Sequence, residues 1–300
     1  MKNSKNSILD DENLLQSIKI GKKKFYNAQK ILFLAILILS LIVYSSIVNA
    51  VYHALIAMPV IVFFGFFAIN AWVNYYEFYK NDFIKNIVKS IDENFEYTDK
   101  KEYNENEKTP EFGLFFRYEA TNFNKEDFIN GIYKGVEFEF CEYNFVGINT
   151  EFYAQFLTCD FYKDFKSNIK ILNKKIKFWQ LGKAKKFDNI EFNKMFKIVA
   201  DDEFEARYLL SPSFMEKLCK LNANGNFGFV SAAFKDNKFY LFFENNKNLF
   251  EPHLFFKKPS VKTAEFYKAE ILEILSVIDE LNLTLNIYPK TVLKNQKLTR

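Results

Sequence analysis

Histidines and phosphate-binding motifs are scarce in this chain of 300 residues, which has only two histidines. Metal centres with nitrogen or sulfur ligands, and nucleophilic catalytic sites, usually need a histidine held beside a second functional group. The sequence has no GxGxxG motif, and the Gly-Lys pairs that begin at Gly21 and Gly182 lack the rest of a phosphate-binding loop. These absences argue against an enzyme, and against a bound cofactor or metal ion.

Cysteine is also rare, and the three residues are Cys141, Cys159 and Cys219. An odd number without CxxC pairing differs from a disulfide framework and predicts reduced thiols in a cytoplasmic setting. A site that joins one of these thiols to His253 is one alternative. The pattern favours the other alternative, in which His253 is a lone surface or structural residue.

Charge is absent from residues 31–76, whereas the rest of the chain is rich in it. Lipid selects such segregation, because a charged side chain in the middle of a bilayer is strongly unfavourable. Two apolar runs, residues 31–47 and 54–73, approach the length of about 20 residues that crosses the hydrocarbon layer. The short segment between them requires an antiparallel arrangement. The sequence therefore predicts a transmembrane helical hairpin over residues 31–76.

Lysines beside the predicted hairpin indicate its orientation. Five lie between residues 19 and 30, and Lys80, Lys85 and Lys89 follow the second run. Positive charge is retained on the cytoplasmic side, so both termini are predicted to be cytoplasmic in a multi-pass membrane protein. The alternative is a cleaved signal peptide ending near residues 48–50, but the charged leader and the first apolar run are both too long for one.

The formal net charge of +4 resides in the leader, residues 1–30, where seven lysines oppose three acids. The remainder of the chain is balanced between basic and acidic residues. A nucleic-acid-binding domain would need a basic face on its folded part. The sequence therefore argues against a nucleic-acid partner.

Beyond the hairpin, apolar residues first recur at helical spacing, then give way to a polar stretch, and then alternate with charged residues as in β-strands. Strands followed by helices favour an α+β domain with a mainly antiparallel sheet and packed helices. The predicted segments are a juxtamembrane helix (77–97), a linker (98–110), a cytoplasmic α+β domain (111–283) and a C-terminal tail (284–300).

The α+β domain contains seven runs that predict strands, and the turn signal Asp236-Asn237 joins the last two into a hairpin. A capping box at Asp202 and Glu205 predicts one helix, and Ser211-Pro212 predicts the start of another. Amphipathic spacing predicts a third helix over residues 263–281. The predicted strands are 136–140, 152–157, 169–172, 176–181, 192–199, 227–234 and 239–243.

Two clusters of charge in this domain suggest sites. Asp201, Asp202, Glu203 and Glu205 either bind a divalent cation or stabilise a helix N-terminus, and their spacing favours the helix cap. Arg207 is expected to pair with Glu203 one turn away.

A second cluster, residues 166–186, has eight lysines and no acid. These lysines either contact anionic lipid or line a solvated hairpin edge, and the lysine-rich composition favours the edge. The candidate lipid contacts are Lys174, Lys175, Lys177, Trp179, Lys183, Lys185 and Lys186.

The segment FNKMFKIVADDEFEARYLLSPSFMEKL (192–218), with FVSAAFKDNKFYLFF (229–243) and NLFEPHLFF (248–256), resembles a bacterial family of uncharacterised two-span membrane proteins, domain of unknown function 3137. Residues 79–91 and 131–142 resemble its earlier blocks, and residues 205–212 are its most specific part. The resemblance implies an architecture but no activity and no catalytic residues.

These features together predict a non-catalytic scaffold or adaptor anchored in the bacterial inner membrane. Its expected partners are the lipid bilayer and another membrane or cytoplasmic protein. One alternative is a membrane-tethered sensor that binds anionic lipid headgroups or a small ligand. A more distant alternative is a membrane hydrolase that uses carboxylates.

Overall fold

The fold divides into two compact units, each built from two separate parts of the chain. The helical unit comprises Met1–Glu93 and Leu249–Glu270, and the sheet unit comprises Asn94–Asn248 and Ile271–Arg300. The computed structural model describes residues 11–48, 52–100, 122–146, 151–160, 165–175, 184–224, 228–244, 248–253 and 258–286.

Two long helices, α1 (Glu12–Val48) and α2 (Tyr52–Phe78), contact each other in the helical unit. The stretches Glu12–Tyr44 and Pro59–Ile91 are both long and apolar enough to cross a membrane. Their apolar side chains are largely exposed between residues 33–44 and 61–73, where lipid rather than water would stabilise them. This confirms the prediction of two adjacent apolar helices near the N-terminus.

The first part of α1 packs inside the helical unit rather than exposing its apolar side chains. Asp11 Oδ1 accepts a hydrogen bond from the Leu14 backbone N–H at 2.9 Å and caps the helix. Gly21 lies on the buried face, where a Cβ would come within 2.8 Å of Pro259 Cγ. Only glycine therefore permits this close approach of the segment at Pro259. Buried side chains on the same stretch are Leu14, Ser17, Ile18, Phe25 and Ala28.

Beyond α2 the chain continues as a π-helix (Tyr79–Ile84) and then α3 (Lys85–Ile91). The predicted juxtamembrane helix is therefore helical only as far as Ile91, and Phe95 lies beyond its end. The predicted linker begins at Thr98, the last residue of a strand, and residues 101–110 lie outside the described residues.

The sheet unit contains an eight-stranded sheet in the order β1-β2-β3-β4-β8-β7-β5-β6, and every pairing recorded is antiparallel. This confirms the predicted α+β class with a mainly antiparallel sheet and packed helices. The strands are β1 (Glu96–Thr98), β2 (Asn122–Tyr133), β3 (Val136–Val146), β4 (Glu151–Asp160), β5 (Ile169–Asn173), β6 (Phe196–Ala200), β7 (Phe229–Lys235) and β8 (Lys238–Glu244).

Four more helices complete the described secondary structure, and the helix predictions are largely confirmed. Ser211 caps its helix through the Phe214 backbone N–H at 3.2 Å, as the Ser-Pro signal predicts. The last helix buries the predicted face that includes Tyr267, Ile274 and Leu281. These helices are α4 (Ile190–Met195), α5 (Glu203–Leu209), α6 (Pro212–Ala223) and α7 (Val261–Asn286).

The hairpin predicted at Asp236-Asn237 joins β7 to β8, and both residues have positive φ angles, 50° and 57°. Asparagine and aspartate tolerate this left-handed conformation better than most residues, which is why the pair marks a tight turn. Aromatic packing then fixes the sheet against α6. The Phe234 ring lies 5.0 Å from the Phe239 ring and 5.8 Å from the Phe214 ring.

The strand predictions are wrong in part. The strand predicted over residues 192–199 begins as helix α4, because Asn189 caps the Phe192 backbone N–H and only Phe196–Ala200 is extended. Phe204, which follows the predicted capping residue Asp202, is 86% exposed. Strands β1 and β2 were not predicted, and the strand predicted at residues 176–181 lies outside the described residues.

Candidate functional site

The acidic cluster at residues 201–205 serves as a helix cap, as its spacing favours. Asp202 Oδ1 accepts hydrogen bonds from the backbone N–H groups of Phe204 at 2.7 Å and Glu205 at 3.3 Å. Asp201 Oδ2 accepts from Asn168 through both its backbone N–H and its side-chain amide. Asp201 and Asp202 are therefore each held by a different protein group.

Only one of the two interactions of the predicted capping box is present. In a full box the Glu205 carboxylate would accept from the Asp202 backbone N–H. Instead, Ser167 Oγ accepts that hydrogen bond at 2.9 Å, and Glu205 accepts from the backbone N–H groups of Lys166 and Ser167 at 3.1 and 2.7 Å. Glu205 thus ties the loop before β5 to α5.

The predicted ion pair between Glu203 and Arg207 is present, with Arg207 Nη2 3.0 Å from Glu203 Oε1. Lys185 Nζ also lies 2.9 Å from Glu203 Oε2. Hydrogen bonds from Lys185 and Arg207 lower the pKa of the Glu203 carboxyl below its ordinary value. Both partners are partly exposed, so this network contributes little to stability.

The lysine-rich segment is dispersed over several different structures. Lys174 and Lys175 form an exposed turn after β5, and the Lys174 ammonium donates to the Asn193 carbonyl oxygen. Lys185 forms an isolated bridge with Ile198 and is neutralised by Glu203, whereas Lys186 is exposed. Lys177, Trp179 and Lys183 lie outside the described residues.

Strand β5 is bonded on both sides, to β6 and to β7, over Ile169–Ile171. Along Ile169–Ile171, β5 therefore has no free edge, and residues 176–181 lie outside those that the structure describes. The lipid-contact hypothesis for this segment stays a prediction, with Lys185 already paired to an acid.

The histidine and cysteines do not assemble a site within their own units. In the sheet unit Cys141 and Cys159 are buried, and Cys219 is partly buried. Burial raises the pKa of the Cys159 thiol well above its ordinary value, and it also raises the pKa of Cys219. Thiols held protonated in this way are poor nucleophiles. His253, in the helical unit, is exposed.

A cavity of about 410 Å³ is lined by residues of β2, β3, β4 and β8. Its polar lining includes Glu137, Glu139, Thr158, Asp160 and Lys238. Asp160 is 3.7 Å from Lys238 Nζ, so part of its charge is balanced. The lining thiol, that of Cys159, has the raised pKa described above, which does not favour nucleophilic chemistry here.

Pairing of β1 with β2 gathers three carboxylates that the sequence analysis did not connect. The carboxylate oxygens of Asp99, Glu126 and Asp127 all lie within 4.8 Å of one another. Hard divalent cations prefer such oxygen donors. Protein donors already hold two of these acids, because Tyr97 donates to Asp127 and Asn248 donates to Glu126 at 2.8 Å.

The π-helix corrects the phase of the apolar stripe that runs from α2 into α3. At about 100° per residue, a continuous α-helix would place Ile84 about 180° away from Tyr75. A π-turn takes in an extra residue, which shifts the phase of the residues after it by about 100°. Both Tyr75 and Ile84 are fully buried as a result. π-Helical turns are frequent at functional sites.

The same π-helix buries a lysine completely. Lys80 has no exposed surface, and its Nζ lies 2.8 Å from Glu251 Oε1. The Tyr76 hydroxyl donates to the same carboxylate oxygen at 3.4 Å, and the Lys80 ammonium lies 5.9 Å from the centre of the Tyr76 ring. A buried ammonium is stable only when an acid and hydrogen bonds replace its water.

A second polar contact lies one residue earlier. The Tyr79 and Tyr267 hydroxyls are 3.0 Å apart, and both side chains are fully buried. Together with Lys80 and Glu251, this contact joins the π-helix to residues 249–270. These four residues, which we call the π-helix polar cluster, come from two parts of the sequence that no local pattern connects.

Residues 150–283 match the model of the family described as "Protein of unknown function (DUF3137)". This segment matches DUF3137. The predicted family resemblance is therefore confirmed for the part of the chain from β4 to α7. The resemblance of residues 79–91 and 131–142 lies before the matched segment and stays a prediction.

The DUF3137 segment contains the cap at Asp202, the helix α6 and the β7–β8 hairpin. It also includes Glu251 and Tyr267, whereas Lys80 and Tyr79 precede it. The search of curated proteins and the search of solved structures found no match.

Proposed function

We propose that this protein is a non-catalytic adaptor anchored in the bacterial inner membrane, with its sheet unit in the cytoplasm. The observation that carries the proposal is the pair of long apolar helices whose side chains between residues 33–44 and 61–73 are exposed. Exposed apolar surface of this extent is unfavourable in water and favourable in lipid.

The distribution of lysines supports cytoplasmic termini. Lys19, Lys22, Lys23 and Lys30 are all exposed on the part of α1 that precedes the apolar stretch. Lys80, which follows the second apolar run, is buried and paired with Glu251, so it adds no free charge at that end. The leader lysines therefore carry most of the positive-inside signal.

An exposed aromatic side chain supports the adaptor role. Phe204 is 86% exposed at the start of α5, inside the segment that matches DUF3137. Aromatic residues, phenylalanine included, are enriched at protein interfaces relative to the rest of the surface. We place the partner-binding surface at this end of α5.

The test introduces a photo-crosslinking amino acid at position 204 of the full-length protein in cells. The matched control carries it at position 132, because Ile132 is also exposed, at 55%, but lies outside the DUF3137 segment. We expect a discrete cross-linked partner from position 204 and not from position 132. A second arm measures co-purification of that partner with the Phe204→Ala variant, which should be lost while the abundance of the protein stays unchanged.

Equal cross-linking from both positions, or none from position 204, would overturn the adaptor proposal. Anchoring and orientation are tested separately by alkaline extraction of membranes and by a reporter fused to the C-terminus. Release of the protein by alkaline extraction would contradict anchoring, and a reporter active only outside the cytoplasm would contradict the orientation.

A further inference from the structure

On one face of α1, the exposed side chains change from cationic to apolar within one turn, where the apolar stretch begins. Lys22, Tyr26 and Lys30 are spaced by four residues, so they are neighbours along one side of the helix. All three are exposed, and Leu34, the next residue in this series, is exposed and apolar. A phospholipid has the matching order, with a charged headgroup followed by apolar acyl chains.

A fourth residue comes from a distant part of the chain. Lys258 Nζ donates a hydrogen bond to the Tyr26 hydroxyl at 3.0 Å, across 232 positions of sequence, and lies 5.6 Å from the centre of the Tyr26 ring. The adjacent Pro259 packs against Gly21, which fixes the approach of this segment to α1. The lysine is thus positioned by the fold.

These cations have no acidic partners within the described part of the chain. Lys22, Lys30 and Lys258 form no salt bridge there, unlike Lys80 with Glu251 or Lys185 with Glu203. Lys22 and Lys30 lie one turn before and one turn after Tyr26, and Lys258 contacts its hydroxyl, so three cations share one side of α1 and repel one another. An anion at this position would remove that repulsion.

We propose that Lys22, Tyr26, Lys30 and Lys258 bind the phosphodiester headgroup of an anionic phospholipid, with its acyl chains along the exposed apolar side of α1. This inference rests on the proposed membrane anchoring. The adjacent apolar surface identifies a lipid as the source of the phosphate, because a free phosphate ion would gain nothing from it. Each well-placed lysine is expected to contribute about a fivefold gain in affinity.

The experiment uses the full-length protein solubilised in a neutral detergent. Retention of phosphatidylglycerol, and of phosphatidylcholine with the same acyl chains, is titrated by native mass spectrometry. We expect phosphatidylglycerol to bind at least tenfold more tightly than phosphatidylcholine. The variant Lys22→Gln/Lys30→Gln/Lys258→Gln should reduce this preference to about one.

A matched triple variant, Lys100→Gln/Lys194→Gln/Lys220→Gln, removes the same charge from exposed lysines of the sheet unit that lie outside the lysine-rich segment, and it should leave the preference unchanged. Tyr26→Phe keeps the aromatic ring but removes the hydroxyl that holds Lys258, and it should weaken phosphatidylglycerol binding by about two- to fivefold. Inorganic phosphate at matched ionic strength should not displace the lipid.

Equal binding of the two lipids, an unchanged preference in the first triple variant, or an equal loss in the control variant would overturn the proposal. Displacement by inorganic phosphate would also overturn it, since the site would then bind a free ion. The titration in detergent does not depend on membrane insertion, so failure of the anchoring test and failure of this test are distinguishable.

Discussion

Within the described residues, the charged side chains that have no exposed surface differ between the two units, although the helical unit also buries the acid Glu270, which is 6% exposed. The helical unit completely buries a cation, Lys80, against the Glu251 carboxylate. The sheet unit completely buries two acids, Asp127 and Glu142, while every lysine and arginine described in that unit is exposed or only partly buried.

The difference reflects what each group needs in order to leave water. An ammonium group only donates hydrogen bonds, and it is stabilised in an interior chiefly by an acid. A carboxyl group can be held by neutral donors, as Tyr97 holds Asp127 and as Gln155 holds Glu142 at 3.1 Å. The stability of the helical unit should therefore fall when a buried charge is removed. The stability of the sheet unit should fall when a hydrogen-bond donor is removed.

The largest effect is expected from Glu251→Gln in the helical unit. The variant keeps the shape of the side chain but leaves the Lys80 ammonium buried without a counter-charge, at a cost of about 3 kcal/mol. Hydrogen exchange of peptides covering residues 79–91 should accelerate about a hundredfold.

The control for this prediction is Glu265→Gln, which removes an exposed carboxylate from the same unit. Combining Lys80→Met with Glu251→Gln should recover at least half of the lost protection, because the cation is then gone. Exchange in the Glu251→Gln variant as slow as in the wild type would contradict the ion-pair interpretation.

A smaller effect is expected from Tyr97→Phe in the sheet unit. Its hydroxyl donates to the buried Asp127 carboxylate, and loss of a hydrogen bond to such a group costs about 2 kcal/mol. Exchange in β1 and β2 should accelerate about thirtyfold, as measured on peptides covering residues 96–98 and 122–133. Thr98→Val, exposed on the same strand, should leave exchange within about twofold of the wild type.

The smallest effect is expected from Glu142→Gln, which is the counterpart of the Glu251 substitution. The Gln155 amide can donate to the carbonyl oxygen of the new amide as it does to the carboxylate, so the change should stay below about 1 kcal/mol. Exchange in β3 and β4 should change less than about fivefold. A loss as large as that of Glu251→Gln would mean that Glu142 also depends on its charge, and the contrast between the units would disappear.

The successful sequence predictions concern patterns that a local rule controls. The apolar helices follow from the absence of charge in residues 31–76, and β3 follows from the alternation that begins at Val136. Asp202 and Ser211 cap helices because their side chains reach backbone N–H groups only a few residues away.

The secondary-structure elements that the sequence analysis missed lie where such local patterns are interrupted. Strand β2 carries an irregularity between Glu126 and Ile129, with a positive φ angle at Asp127, and its alternation is lost there. Helical spacing predicts an ordinary α-helix where the π-helix lies. In an α-helix, however, Tyr75 and Ile84 would lie about half a turn apart. That offset is the signal in the sequence that could have revealed the π-helix.

The sequence by itself determined the two apolar helices, the α+β class, the helix caps and the resemblance to DUF3137 in residues 150–283, because each depends on composition or on residues close together in the chain. Only the tertiary structure decided that Lys80 meets Glu251, that Lys258 meets Tyr26 and that three acids converge beside β2. These contacts join residues far apart in sequence, and the folding of the backbone, which no local pattern records, selects which charged groups become neighbours.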